Sequence, residues 1–130
     1  MIGLDTNVVV RALTQDEPVQ AEKAAALLSA DAVSLTKTVL LEVEWVLRGA
    51  YGFDQEAINA GLRRLVGLEN LVVEDRPAVL RALAWRAAGM DFADALHLAS
   101  SSAVESFATF DREFARTASQ IGAHPPVNAL

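Results

Sequence analysis

The 130 residues contain no cysteine, 52% apolar side chains and a formal charge of −6 from 17 acidic and 11 basic residues. The missing cysteine excludes a disulfide framework, a thiolate metal site and a thiol nucleophile, and no apolar run approaches the ~20 residues that span a bilayer. The charge argues against bulk attraction to nucleic acid, although clustered carboxylates that hold divalent cations reverse the local sign.

The chain opens on an apolar run, Met1 to Leu4, which is cut off by Asp5-Thr6-Asn7 and followed at once by a second run, Val8 to Leu13. This predicts a buried strand ending at Asp5 and a helix capped by Asn7, because Asn and Asp oxygens accept from the free N–H groups of a first turn. Apolar flanks make that strand a central one by expectation. The run is too short for a signal peptide and lacks a basic leader, so a soluble, cytoplasmic protein without a membrane anchor is expected.

Gln15-Asp16-Glu17-Pro18 is a turn, with Pro18 entering a helix on which Ala21, Ala24, Ala25 and Leu28 recur at helical spacing. Ser29-Ala30-Asp31 breaks it. Val33 to Thr36 alternates as a short strand, and a helix follows from Lys37 or Thr38 to Arg48, stopped by Gly49 and Gly52. Asp54 opens a helix to about Leu68, and Leu71 to Glu74 is a strand. Pro77 starts a helix ending at Gly89, and Asp91 opens another to about Ser101. Phe107 to Phe110 is a core strand, Asp111 opens a helix to about Ala118, and the tail around Pro125-Pro126 adds a short edge strand. Strands that alternate with one or two helices predict an α/β fold, a three-layer α/β/α sandwich on a mainly parallel central sheet. The length suits a single domain, residues 1–130.

Four acids stand where their surroundings are apolar. Asp5 and Asp111 each follow a strand, and in open parallel sheets that strand end is where ligands bind. Glu42 lies in Val39-Leu-Leu-Glu42-Val-Glu44-Trp-Val-Leu47, with Thr38, Val39, Trp45 and Val46 three and four positions away. It is therefore expected on a largely apolar helix face, where an ionised carboxylate is costly unless paired or bound to a metal. Glu44 has Arg48 four residues on and is read as a routine surface pair. Asp94 occupies the third position of a helix capped by Asp91 and leads into Ala95-Leu96-His97-Leu98-Ala99. Helix capping explains each placement singly. If the sheet is parallel, all four fall at one edge, where they would raise one another's pKa values. Hard cations such as Mg²⁺ or Mn²⁺ relieve such repulsion, and a metal pair held by carboxylates suits phosphodiester cleavage.

The order Asp5-Thr6-Asn7, then Glu42 in an apolar helix, then Asp94 within Asp-Phe-Ala-Asp-Ala-Leu, then Asp111 after Phe-Ala-Thr-Phe resembles the PIN domain. More narrowly it is similar to the VapC-type toxins of type II toxin–antitoxin pairs. The resemblance covers essentially the whole chain. It implies a Mg²⁺- or Mn²⁺-dependent endoribonuclease, a homodimer, and inhibition by a small VapB-like antitoxin. It also implies that Asp5, Glu42, Asp94 and Asp111 form the metal-binding catalytic site, with Thr6, Asn7, Asp91 and Thr109 in support.

Other signals are weaker. His97 is expected as a core histidine and His124 as a loop residue, while the tryptophans and phenylalanines suit a core or an interface. Arg11, Lys37, Arg112 and Arg116 lie near the expected strand edge, where they would guide phosphates or remain solvated. A haloacid-dehalogenase-like phosphatase needs a second aspartate where Asn7 stands, and a receiver-like domain needs an acidic pair and a lysine that are not visible. A non-catalytic PIN-like module that binds RNA or protein is the remaining alternative.

Overall fold

Short apolar runs closed by a polar residue become strands here, and each strand feeds a helix. The computed structural model describes residues 1–30 and 32–130, so Asp31, expected to help end the second helix, lies outside the described residues. The chain divides into two units, Met1–Glu74 and Asp75–Leu130.

The first unit holds β1 (Ile2–Gly3), α1 (Thr6–Thr14), α2 (Pro18–Ala30), β2 (Val33–Leu35), α3 (Lys37–Gly49), α4 (Gln55–Val66) and β3 (Leu71–Val73). Its three strands lie in the order β1-β2-β3 and pair in parallel, with Ile2 opposite Val33 and Val33 opposite Leu71. Two helices bridge each pair, as the long return of a parallel connection requires. The middle strand is β2, and its Val33 and Leu35 are almost fully buried. The expectation of a central first strand fails within this sheet: β1 lies at its edge and Ile2 is exposed. The strand is only two residues long, so its apolar flanks reflect burial of Leu4 and the start of α1 instead.

Helix α1 packs on α2 and α3, and α3 on α4. Val9, Val10, Leu40, Val43, Leu47, Ile58 and Leu62 fill the space between. Pro18 takes the first position of α2, where its missing N–H costs nothing. Thr36 caps α3 by accepting from the Val39 N–H at 3.3 Å. Asp54 caps α4 from Ala57 at 2.8 Å.

The second unit holds α5 (Arg76–Ala87), α6 (Phe92–Ala99), β4 (Phe107–Thr109), α7 (Arg112–Ile121) and β5 (Val127–Ala129). Helices α5 and α6 share a core of Val79, Leu83, Met90, Phe92, Leu96 and Leu98. Gly89, at φ 112, reverses the chain between them, a conformation that side chains rarely adopt. Strands β4 and β5 pair in parallel with α7 as the crossover, Phe107 lying opposite Val127. Phe107 also meets Phe114 of α7 edge-on, with ring centres 5.9 Å apart. The strand expected in the core is half-exposed: Phe107 and Thr109 are partly covered and Ala108 is open.

All strand pairs among the described residues are parallel, and the chain is an α/β protein as expected. No helix among the described residues is long and apolar enough to cross a membrane.

The start of α1 departs from the expected cap. Asp5, not Asn7, holds the cap position, and its side chain makes no capping hydrogen bond; Asn7 is already the second helical residue. The two capping aspartates therefore separate by stability. Asp54→Ala should cost about 1 kcal/mol, the typical loss of an N-cap, whereas Asp5→Ala should lack that loss. Urea unfolding of both variants checks this, and an equal loss at Asp5 would make it a structural cap.

Candidate functional site

In the first unit the acidic residues are organised by Thr6. Its side chain is buried at 5% exposure, drawn under by the packing of α1. A buried hydroxyl needs a partner, and Thr6 Oγ1 donates to Glu42 Oε1 of α3. The residue beside Asp5 is thus tied directly to Glu42. Asp5 itself is exposed, with its carboxylate free of the helix it precedes.

The expected setting of Glu42 is corrected. Glu42 is exposed, and Glu44, read as a surface residue, is the buried acid at 3% exposure. The buried row of α3 is Leu40, Val43, Glu44 and Leu47, spaced as one helical face. Glu42 lies outside that row, and so does Trp45, which is 61% exposed. Arg48 covers Glu44 through Nε at 3.3 Å and Nη2 at 3.4 Å. Glu44 is therefore a structural ion pair. Glu42 keeps its standing through Thr6, not through burial.

In the second unit, Asp91, Asp94 and Asp111 line one cavity of about 180 Å³ with Gly89, Glu113 and Thr117. Asp91 caps α6 by accepting from the Asp94 N–H at 3.1 Å. Asp111 caps α7 through a single oxygen, Oδ1, which accepts from Glu113 at 3.0 Å and Phe114 at 3.1 Å. Thr109 Oγ1 accepts from the Asp111 N–H at 3.0 Å and so sets the turn that presents this carboxylate. Asp94 is half-buried. Burial pushes its carboxyl above the ordinary value, the charges of Asp91 and Asp111 push it further, and His97 opposes them. Helix-dipole complementarity alone would lower this pKa, so burial, joined by the two neighbouring charges, outweighs it.

Several expectations shift. His97 is exposed instead of buried in the core, while His124 is exposed in the loop before β5 as expected. Phe110, expected in the core or an interface, stands 84% exposed beside Asp111. Arg11 is held by Gln20, Asp16 and Tyr51, and Arg116 pairs with Glu113 at 3.4 Å. Glu113 and Thr117 of the acidic cavity went unremarked in the sequence. Glu113, two residues after Asp111 in the first turn of α7, was the available signal.

The donors are carboxylate oxygens, the chemistry that Mg²⁺ and Mn²⁺ prefer, and burial first, then the charges of Asp91 and Asp111, disfavour an Asp94 carboxylate that a cation would stabilise. Among the described residues no three acidic or histidine side chains form a ready-made metal cluster. The fit is therefore one of donor chemistry.

Comparison with protein-family models matches the PIN domain over residues 2–120, a span that includes every acid described above. Comparison with curated proteins and comparison with solved structures each returned no match.

Asp94 gives a signed pH dependence. Its folded pKa is raised, so the folded state binds the proton more tightly than the unfolded state, and stability falls as pH rises from 3.8 through the raised value. Asp94→Asn removes that penalty. In chelator the variant should melt above the native chain at neutral pH, and the gain should disappear below pH 3.8. A gain that stays constant across this range would contradict the raised pKa.

Proposed function

Since the chain belongs to the PIN-domain family, we propose that it is a Mg²⁺- or Mn²⁺-dependent endoribonuclease and the toxin of a VapBC-type pair. The family is one of metal-dependent nucleases, and a match over 119 of the 130 residues supports the same class of chemistry here. The observation that carries the reading is the state of the acids themselves. Asp5 occupies a cap position without capping, and burial together with the charges of Asp91 and Asp111 holds the Asp94 carboxyl above its ordinary pKa. A purely structural role explains neither.

In this reading Asp5, Glu42 and Asp94 hold the ions, and Asp111 supplies a further oxygen beyond the one spent on its cap. A divalent cation bound by such groups activates water and stabilises the leaving oxygen of a phosphodiester. Thr6 orients Glu42 by its hydrogen bond, Asp91 holds the first turn of α6 that carries Asp94, and Thr109 sets Asp111. Asn7, exposed on the first turn of α1, would contact the RNA backbone in this reading.

The proposed partners are a VapB-like antitoxin and a second copy of the chain. A VapB-like antitoxin that inserts an arginine among these carboxylates would block RNA and displace the cation together, since the guanidinium fork spans two carboxylates. Exposed Trp45, Leu80 and Val104 offer apolar area for a homodimer or for that antitoxin. The rival reading is a PIN-like module that binds RNA without cutting it.

Turnover separates the two. With Mn²⁺ the native chain should cleave single-stranded RNA, and chelator should abolish cleavage. Asp5→Asn, Glu42→Gln and Asp94→Asn should each lose at least ~10²-fold while remaining folded, more than the 10–100-fold typical of an outer partner. Asp111→Asn should lose less activity. Binding of RNA without cleavage at saturating Mn²⁺ would establish the rival.

A further inference from the structure

The acids explain how a phosphodiester would be cut, but they would repel the polyanion that carries it. A second cavity, within the first unit and of about 420 Å³, has the opposite character. It opens between α1 and α2, and among the described residues its charged lining is Arg11 and Lys23, with no carboxylate, in a chain of net charge −6. Asn7 and Gln20 add amides, and Val8 and Leu27 add apolar wall. The volume falls within the ~300–1,000 Å³ of small-molecule sites, which combine apolar walls with a few placed polar groups.

The cation at its centre is fixed. Arg11 Nε donates to Gln20 Oε1 at 2.8 Å, and Nη1 donates to the Tyr51 hydroxyl at 2.8 Å and to Asp16 at 3.3 Å. Tyr51 in turn donates to Asp16 at 2.8 Å. Asp16 holds the guanidinium without lining the cavity. Nη2 makes no hydrogen bond among the described residues, so an oriented pair of donors is left unspent. Lys23 is exposed and adds a mobile positive charge. The cavity begins at Asn7, one residue after Thr6, whose hydroxyl binds Glu42.

We infer that this cavity is a nucleotide subsite, which takes one nucleoside phosphate unit of the RNA beside the cleaved bond. Arg11 and Lys23 receive the phosphate, the amides of Asn7 and Gln20 meet polar edges of the nucleotide, and Val8 and Leu27 pack against the base. Arginine suits the phosphate because its fork is planar and here already ordered. Unstacked bases are what single-strand RNA recognition reads, so the cavity is also where base preference is set. The inference rests on RNA being the substrate.

Binding can be read without turnover. The ¹⁵N-labelled native chain is titrated in chelator with the four nucleoside 5′-monophosphates, ribose 5-phosphate and inorganic phosphate, following backbone amide shifts. Shifts should concentrate at Asn7, Gln20, Lys23 and Leu27, and nucleotides should bind more tightly than ribose 5-phosphate. Lys23→Glu should weaken them about tenfold, the scale of one charge-assisted contact, whereas Arg63→Glu, the same charge change on exposed α4, should not. Equal loss in both variants, equal binding of phosphate and nucleotide, or shifts elsewhere would overturn the subsite. So would an acidic peptide that occupies the cavity when nucleotides do not. A chain that cleaves RNA with Mn²⁺ yet takes no nucleotide here refutes the subsite alone. A chain that leaves RNA intact refutes the nuclease reading.

Discussion

One buried hydroxyl sets the position of Glu42 in the first unit. Thr6 is drawn into the core by the packing of α1, and the desolvated oxygen must find a partner; it finds Glu42. That bond ties the start of α1 to α3. Glu42 is thus held by a side-chain partner, whereas the Asp5 side chain, at the cap position of α1, makes no capping bond. In the second unit the same tension is resolved differently. Asp91 and Asp111 satisfy helix N–H groups, and Asp94 carries the repulsion of both.

An acid at a strand-to-helix junction always has an ordinary explanation, because helix ends attract carboxylates. What separates the ordinary from the functional here is whether the carboxylate is used. Asp54 is used and belongs to the architecture of α4. Asp5 makes no capping bond, and Asp94 keeps its carboxyl where burial and two neighbouring acids disfavour its charge. Glu44 marks the opposite case: buried and covered by Arg48, it is an acid that the packing has absorbed.

Much of this was legible in the sequence. Helix and strand positions followed from punctuation by Pro18, Asp54, Asp91 and Asp111, and their ends lie within a few residues of the expected ones. The phase of α3 was not legible, because Val39, Leu41, Trp45 and Val46 spread apolar side chains around the whole helix. Only the Leu40-Val43-Leu47 stripe, with Arg48 four residues after Glu44, pointed to the buried face. The uncapped state of Asp5 was hidden too, since a shift of two residues in the helix start moves the cap position from Asn7 to Asp5. His97 looked like a core residue for a similar reason. Its neighbours Leu96 and Leu98 are buried, but one step along a helix turns a side chain away from them. The basic cavity was beyond sequence reasoning altogether, because Arg11 and Lys23 come together only when α1 packs on α2.

The central claim is that the uncapped acids are ligands. Anomalous diffraction from crystals grown with Mn²⁺ tests it most directly, because the signal locates the ion without reference to activity. The account predicts manganese at inner-sphere distance from carboxylate oxygens of Asp5, Glu42 and Asp94, with Asp54 and Glu44 bare. Manganese absent from those three residues at saturating concentration would contradict it.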